Sequence, residues 1–269
     1  MQLNEQKLRA LQAVELDIFK AFSSACKKLN VKYYLVAGTL LGAVRHGGFI
    51  PWDDDIDVGM PREDYEKFLA DGQKHLPDHL FLQHYTTDPA YPKTYAKIRN
   101  TNTAFIESPI SHLEMNHGVF IDIFPLDQHT STNTKKIKRT VADLRVSYAF
   151  KKEYYSKKVR LARLATKLFY PTIKGALTSI DKLNGSCKKS NYITNYCGIY
   201  GDREIVPAEW YGEGKLLPFE DTTAIVPMEY DKILTKIYGD YMTPPPPEKR
   251  VTLHVTDVID PERSYKEYL

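Results

Sequence analysis

The stretch Trp52-Asp-Asp-Asp-Ile-Asp-Val-Gly59 places four carboxylates within five residues, shortly after a Gly38-Thr-Leu-Leu-Gly42 turn. The alternation through Asp55, Ile56, Asp57 and Val58 has the two-residue period of a strand. It sends Asp53, Asp55 and Asp57 to one face and packs Ile56 and Val58 on the other. Asp54 then points away and is the weakest ligand of the four. Three ionised carboxylates on one face repel each other unless a cation lies between them. An all-oxygen ligand set suits Mg²⁺ or Mn²⁺ better than zinc or copper. A hard cation held by carboxylates is a common grip on a diphosphate. Acid-rich runs are more often solvated turns, but the apolar and glycine-rich flanks here favour a metal site.

Working outward, Leu8, Leu11, Val14, Ile18, Phe22, Ala25 and Leu29 recur at three- and four-residue steps and predict one amphipathic helix over Glu5–Leu29. Val31–Ala37 reads as a strand entering the glycine turn, and Thr39–Arg45 as a short helix. A loop, His46–Pro51, returns the chain to the acids. Pro61 opens another helix, with acids in its first turn. Leu80–His84, Tyr95–Arg99, Thr103–Ile106 and Gly118–Phe124 read as strands. The last carries one carboxylate, Asp122, in an otherwise apolar run. A lone buried acid is costly unless paired or bound to a cation, so Asp122 is expected to join Asp55 and Asp57 from a neighbouring strand. Residues 134–189 read as helical. The segment from Asn191 is rich in Tyr, Gly and Pro.

The composition, 42% hydrophobic and 26% charged over 269 residues, is that of a globular protein. No apolar run approaches the roughly 20 residues that a membrane-spanning helix needs. The N-terminus lacks a secretion signal. Cys26, Cys187 and Cys197 are too few and too scattered for a disulfide framework or a zinc site. These features predict a reduced, cytoplasmic protein. Between Lys135 and Lys174 there are 13 Lys and Arg against the two acids Asp143 and Glu153. There Val159, Leu161, Leu164, Ala165, Leu168 and Phe169 interleave with Lys157, Lys158, Arg160, Arg163 and Lys167 at helical spacing. Such helices are commonly solvated faces; they also suit peripheral contact with an anionic membrane at the cell's inner face, or can hold a phosphate-bearing substrate. No nucleic-acid-binding module is present, so no nucleic-acid partner is expected.

Gly38-Thr-Leu-Leu-Gly-Ala-Val-Arg45, Pro51-Trp-Asp-Asp-Asp-Ile-Asp57 and Val119-Phe-Ile-Asp-Ile-Phe-Pro-Leu126 resemble the LicD family. Its members are phosphocholine transferases of bacterial surface glycans, related to fukutin-type phosphosugar transferases. Val206–Lys215, Pro218–Asp221 and Tyr238–Met242 are similar too, so the resemblance runs from about Asn4 to His254. The basic stretch Lys135–Lys174 matches none of the family's motifs. The resemblance implies an α/β fold: a small mixed sheet flanked by helices, with a nucleotidyltransferase-like core. The core is expected over residues 1–130, a basic helical segment over 131–190, and over 191–269 a C-terminal segment that completes the substrate site.

The resemblance further implies CDP-choline as donor, a lipid-linked glycan as acceptor (teichoic acid or lipopolysaccharide precursor), CMP as product and Mg²⁺ or Mn²⁺ as cofactor. Gly38 and Thr39 would form the donor turn. Asp55, Asp57 and Asp122 would be catalytic, and with Asp53 would hold the metal; Asp122 could instead accept the acceptor's proton. Arg45, Lys97 and Arg99 would meet the diphosphate, with His46 a weaker donor. Lys97 and Arg99, two apart, share a strand face. A quaternary ammonium asks for aromatic faces and a carboxylate, which points to Trp52, and to Trp210-Tyr211 beside Glu220 and Asp221. Two alternatives stay open: transfer of ribitol phosphate, glycerol phosphate or a nucleotidyl group by the same fold, and a binding module without catalysis.

Overall fold

The apolar spacing of the first segment produces α1 (Glu5–Leu29), with Asn4 capping its start by accepting from the Lys7 amide. Asn30, in the left-handed region at φ 52°, turns the chain out of the helix. The structure, a computed structural model, describes residues 4–130, 132–154, 157–186, 190–252 and 254–269. The strand expected over 31–37 shrinks to β1 (Tyr34–Leu35), because only those two residues find partners, Gly59 and Val58. α2 (Ala37–His46) follows at once, so Gly38 and Thr39 lie in its first turn rather than in a turn ahead of it. β2 (Asp57–Pro61) starts later than the alternation suggested, and Asp53–Ile56 approach it outside any ladder. α3 (Arg62–Asp71) begins just after Pro61.

Next come β3 (Leu80–Gln83), β4 (Ala96–Asn100), β5 (Ala104–Glu107) and β6 (Val119–Gln128). β6 is the spine of a mixed sheet ordered β1-β2-β6-β4-β3, running parallel to β2 and antiparallel to β4. Its residues up to Phe124 are nearly all apolar and buried, as a strand covered on both faces requires. Phe19 and Phe22 of α1 and Phe68 of α3 pack in this main core.

The basic stretch forms α4 (Asn133–Val146), α5 (Lys157–Phe169) and α6 (Ile173–Gly185), with α4 packed on both others. Ala142, Val146, Ala176, Leu177 and Ile180 make a second, smaller core with Tyr85. Arg62 ties this annex to the sheet: it donates to both oxygens of Asp127 on β6 at 2.7 Å and to Asp181 on α6 at 2.8 Å. Of the expected amphipathic pattern, the side chains of Lys157, Lys158, Val159, Arg160 and Leu161 lie outside the described residues, as does Cys187.

The C-terminal segment contributes more regular structure than its Tyr, Gly and Pro content suggested: β7 (Tyr192–Asn195), β8 (Val206–Pro207), β9 (Lys215–Phe219), β10 (Thr222–Val226), α7 (Tyr230–Tyr238) and β11 (Thr256–Asp260). β7 joins the sheet on the far half of β6, from Leu126 to Gln128, whereas β4 pairs with Val119 to Ile123. Phe124 and Pro125 therefore sit where the neighbour of β6 changes. Among the described residues no helix is long and apolar enough to cross a membrane.

Gly42 sets how the loop after α2 returns to the acids. A Cβ there would lie 2.4 Å from the Gly48 carbonyl oxygen and 3.0 Å from the Ile50 nitrogen, both backbone. Gly42→Ala is expected to lower stability by about 1–3 kcal/mol, the usual cost of overpacking. An unchanged melting temperature would show that the loop yields freely.

Candidate active site

The register of the sheet builds the centre of the site. Asp57 on β2 stands opposite Asp122 on β6, and Asp122 stands opposite Lys97 on β4. Side chains in register on adjacent strands share a face, so the two acids and the lysine form one row. Lys97 Nζ lies 2.7 Å from Asp122 Oδ1 and 3.1 Å from the centre of the Phe120 ring. Burial lowers the lysine to about 8 against the pull of Asp122 and Glu107.

The acidic loop is pinned by its own backbone. The Asp57 amide donates to Thr39 Oγ1 at 2.8 Å, and the Asp57 carbonyl accepts from the Val36 amide at 3.1 Å. The Ile56 carbonyl accepts from the Asp122 amide at 2.8 Å, and the Asp53 carbonyl from Gln12 Nε2 at 2.9 Å. Gly38 leaves room for an acid: a Cβ there would sit 2.8 Å from Asp53 Oδ2. Asp53, Asp55, Asp57 and Asp122 all open into one cavity of about 220 Å³, where the two-residue alternation and the sheet register had placed them together. Tyr95, Phe124, Asn195, Cys197, Tyr200, Glu204 and His254 line the same cavity.

The acids are buried and crowded. Burial, then Asp55 and Asp54, pushes Asp53 well above the usual carboxylate range; burial, then Asp55 and Asp122, does the same to Asp57. Asp55 is raised to about 6, chiefly by burial. Oxygens of Asp53, Asp54 and Asp55 lie within 4.8 Å of one another. Ligands on opposite sides of Mg²⁺ stand about 4.2 Å apart, twice the usual ligand distance. A closure of a few tenths of an ångström thus suffices, and an oxygen-only donor set of crowded, buried carboxylates fits a hard divalent ion.

Asp54 does not line the cavity; it is buried with Oδ1 3.3 Å from His254 Nδ1, although one of its oxygens belongs to the cluster with Asp53 and Asp55. His254 itself lies edge-on to Phe105 and Phe120 at 5.4 and 5.7 Å. Burial disfavours its charged form, but the bond to Asp54 and the nearby Asp55 outweigh burial and raise its pKa.

Several other expected site residues lie elsewhere. Arg99 is fully buried, donating to Gln83, to the Gly118 carbonyl and to Glu107, and does not line the cavity. Lys97 stands behind Asp122 instead of facing a diphosphate. Glu107 unites Lys93, Lys97 and Arg99; burial alone would raise its carboxyl, but these three cations hold it well below the usual range. Thr39 is buried and spends its hydroxyl oxygen on Asp57. Arg45 donates to the Tyr241 carbonyl and to His46, while Trp52 packs against His46 and Arg250. Glu220 clamps the loop before the acids, accepting from the Phe49 amide at 2.9 Å. Asp221 pairs with Lys20 on the surface, and Trp210 carries Lys232 over its ring. None of Arg45, Trp52, Trp210, Glu220 and Asp221 lines the cavity.

Besides His254, four residues went unread in the sequence. Glu204, raised to about 7 mainly by burial, accepts from the Tyr200 amide at 2.9 Å. Gly198 makes space for it: a Cβ there would lie 2.0 Å from Glu204 Oε1. Tyr95 and Tyr200 supply aromatic faces, and nothing in their local sequence marks them. Glu15 is buried beneath the acids, raised well above the usual range by burial and then by Asp55, Asp54 and Asp53. It occupies the apolar stripe of α1 between Leu11 and Ile18, a signal that was there to be seen.

A carboxyl raised in the folded state stabilises fully below its unfolded value and loses that contribution as pH climbs through the folded value. For Asp55 the loss falls between about pH 4 and 6. It amounts to up to about 3 kcal/mol, at about 1.4 kcal/mol per unit. The metal-free protein is therefore expected to melt at a higher temperature near pH 5 than at pH 7.5, with millimolar Mg²⁺ raising the melting temperature at pH 7.5 and much less at pH 5. Stabilisation by Mg²⁺ that is equal at both values would count against these ligands.

Residues 30–172 match the LicD/FKTN/FKRP nucleotidyltransferase domain, and the match takes in most of the basic stretch that motifs alone left unassigned. The lipopolysaccharide cholinephosphotransferase LicD of Haemophilus influenzae is 29% identical over 262 residues, covering 93% of this chain and 97% of that protein. An uncharacterized Rickettsia prowazekii protein is 34% identical over 129 residues, 48% of this chain and 45% of its own length. Human ribitol 5-phosphate transferase FKRP is 44% identical over 57 residues, 21% of this chain and 11% of that protein. With its acids gathered from β2 and β6 and more than half its length matched, the chain belongs to the LicD/FKTN/FKRP nucleotidyltransferase-domain family.

Proposed function

We propose that this chain transfers phosphocholine from CDP-choline to a hydroxyl of a cell-surface glycan precursor, releasing CMP. One observation carries the reading: a single cavity is lined both by the carboxylates Asp53, Asp55, Asp57 and Asp122 and by Tyr95, Phe124, Tyr200 and Glu204. Aromatic faces with a carboxylate suit a quaternary ammonium, and the acids suit the metal that a diphosphate brings. Similarity along nearly the whole of the Haemophilus influenzae cholinephosphotransferase supports the same cargo.

The acceptor oxygen forms a bond to the phosphorus of phosphocholine as the bond from that phosphorus to the bridging oxygen breaks. CMP leaves with the electron pair, and the hydroxyl proton passes to a cavity carboxylate. Asp53, Asp55, Asp57 and Asp122 would hold Mg²⁺ or Mn²⁺, which would supply charge neutralisation at the diphosphate. Asp122, with one oxygen engaged by Lys97, is held in fixed orientation beside Asp57. Thr39 and Val36 hold Asp57 from behind, and Tyr200 and Glu204 hold the choline end. Segments after residue 190 thereby complete the substrate site. The annex places Leu164, Leu168 and Phe169 in solvent at 58%, 86% and 70% exposure beside the exposed Lys167, a surface suited to the anionic inner face of a membrane where a lipid-linked acceptor resides.

Ribitol phosphate is the second reading, favoured by the 44% identity to the FKRP segment. The two cargoes differ in charge, and that decides the test. Glu204→Gln is expected to raise KM for CDP-choline about tenfold or more, in keeping with the loss of one desolvated cation contact, while Asp57→Asn should abolish CMP release. CDP-choline refused by wild-type enzyme supplied with Mg²⁺, alongside turnover of CDP-ribitol, would replace the first reading by the second. CMP release that survives Asp57→Asn would remove the proposed chemistry.

A further inference from the structure

The acid-lined cavity does not end at Tyr95 and Cys197. These two residues also line a neighbouring groove of about 240 Å³, bounded by Lys93, Thr94, Arg139 and Leu177. Arg139 and Tyr196, in turn, belong to both that groove and a pocket formed by His129, Thr130, Lys135 and Lys136. The three cavities thus lie side by side, linked by shared residues, and form a track from the acids to the basic annex. Its length follows from β6: Asp122 lies at one end and His129, just past the strand, at the other. Seven residues at about 3.3 Å each span roughly 23 Å along the strand, so the track is on the order of 20 Å long.

The charge along the track reverses sign. At the far end Lys135 Nζ donates to Thr130 Oγ1 and Ser186 Oγ, each at 2.9 Å, so neutral hydroxyls orient the ammonium without cancelling its charge. Lys136 forms no ion pair among the described residues. Arg139 rests over the Tyr196 ring at 4.8 Å, donates to the Tyr196 carbonyl, and meets its nearest acid, Asp143, at 3.7 Å. Burial lowers the pKa of His129, with Asp202 the acid and Lys136 the cation that act on it. Two ammonium groups and a guanidinium around a small pocket recognise a phosphate group.

We propose that this track binds the acceptor glycan and that Lys135, Lys136 and Arg139 take a phosphate carried by that glycan, some 20 Å from the hydroxyl that reacts. The assignment rests on the transferase reading of the acidic cavity. The annex then acts as a gauge, and through it the enzyme measures the distance between an anionic substituent and the sugar it modifies. The donor's own phosphates share the same chemistry, so the test separates the two sources.

Full-length protein and a Lys135→Gln/Lys136→Gln variant would be compared on a bacterial oligosaccharide carrying a phosphate monoester and on the same oligosaccharide after phosphatase treatment. The variant should raise KM for the phosphorylated acceptor about tenfold, the effect of losing charge-assisted bonds, while its kcat and its KM for CDP-choline hold. For the dephosphorylated acceptor the two proteins should agree. Added salt should erode the wild-type preference. Equal KM for both acceptors in the wild type, or a rise in donor KM in its place, would overturn the assignment, the latter by giving the track to the nucleotide. A calorimetric titration of each oligosaccharide without donor stands apart from turnover. Tighter wild-type binding of the phosphorylated form, lost in the variant, supports the track even if CDP-choline proves the wrong donor, and equal binding of both forms sinks it.

Discussion

A cross-strand row of Asp57, Asp122 and Lys97 governs this molecule. Two carboxylates on adjacent parallel strands repel, and the sheet keeps them together only because a buried ammonium stands on the third strand. That ammonium is costly to bury and is made tolerable by Glu107, which also serves Lys93 and Arg99. Removing one member of such a network leaves an uncompensated buried charge. The fold and the chemistry therefore share one electrostatic balance, and each layer behind the acids exists to hold the next.

Much of the acidic centre was legible in the sequence because its physics is local. A two-residue period fixes which face an acid takes, and an acid in an apolar strand must find a partner, so Asp53, Asp55, Asp57 and Asp122 could be gathered before any coordinates. Helix α1 was legible to its end residues for a similar reason, since 25 residues of steady apolar spacing leave little ambiguity. The cationic and aromatic residues chosen by type alone do not line the acidic cavity. Lys97 and Arg99 do share a strand face, as the spacing required, but that face is closed in this region and their charges are spent on Glu107 and Asp122. Trp210, Glu220 and Asp221 suited choline in kind and lie away from the cavity.

Glu204, Tyr200 and His254 reach the site from segments 80 to 200 residues beyond the acids. Their arrival depends on β7 pairing with the far half of β6 and on β11 pairing with β5. Register between distant strands has no local signature, so these residues carried no mark. Glu15 is different. A carboxyl inside the apolar stripe of a helix is as conspicuous as Asp122 in its strand, and the same rule applied to α1 would have found it.

Gly198 carries a consequence for how cargo choice can evolve. The Glu204 carboxylate occupies the volume that any side chain at 198 would claim. A single methyl group there would force that carboxylate to move while leaving Asp53, Asp55, Asp57 and Asp122 untouched. Were the cavity to take a choline donor, as proposed, the bulk of residue 198 would set how firmly a positive head group is held.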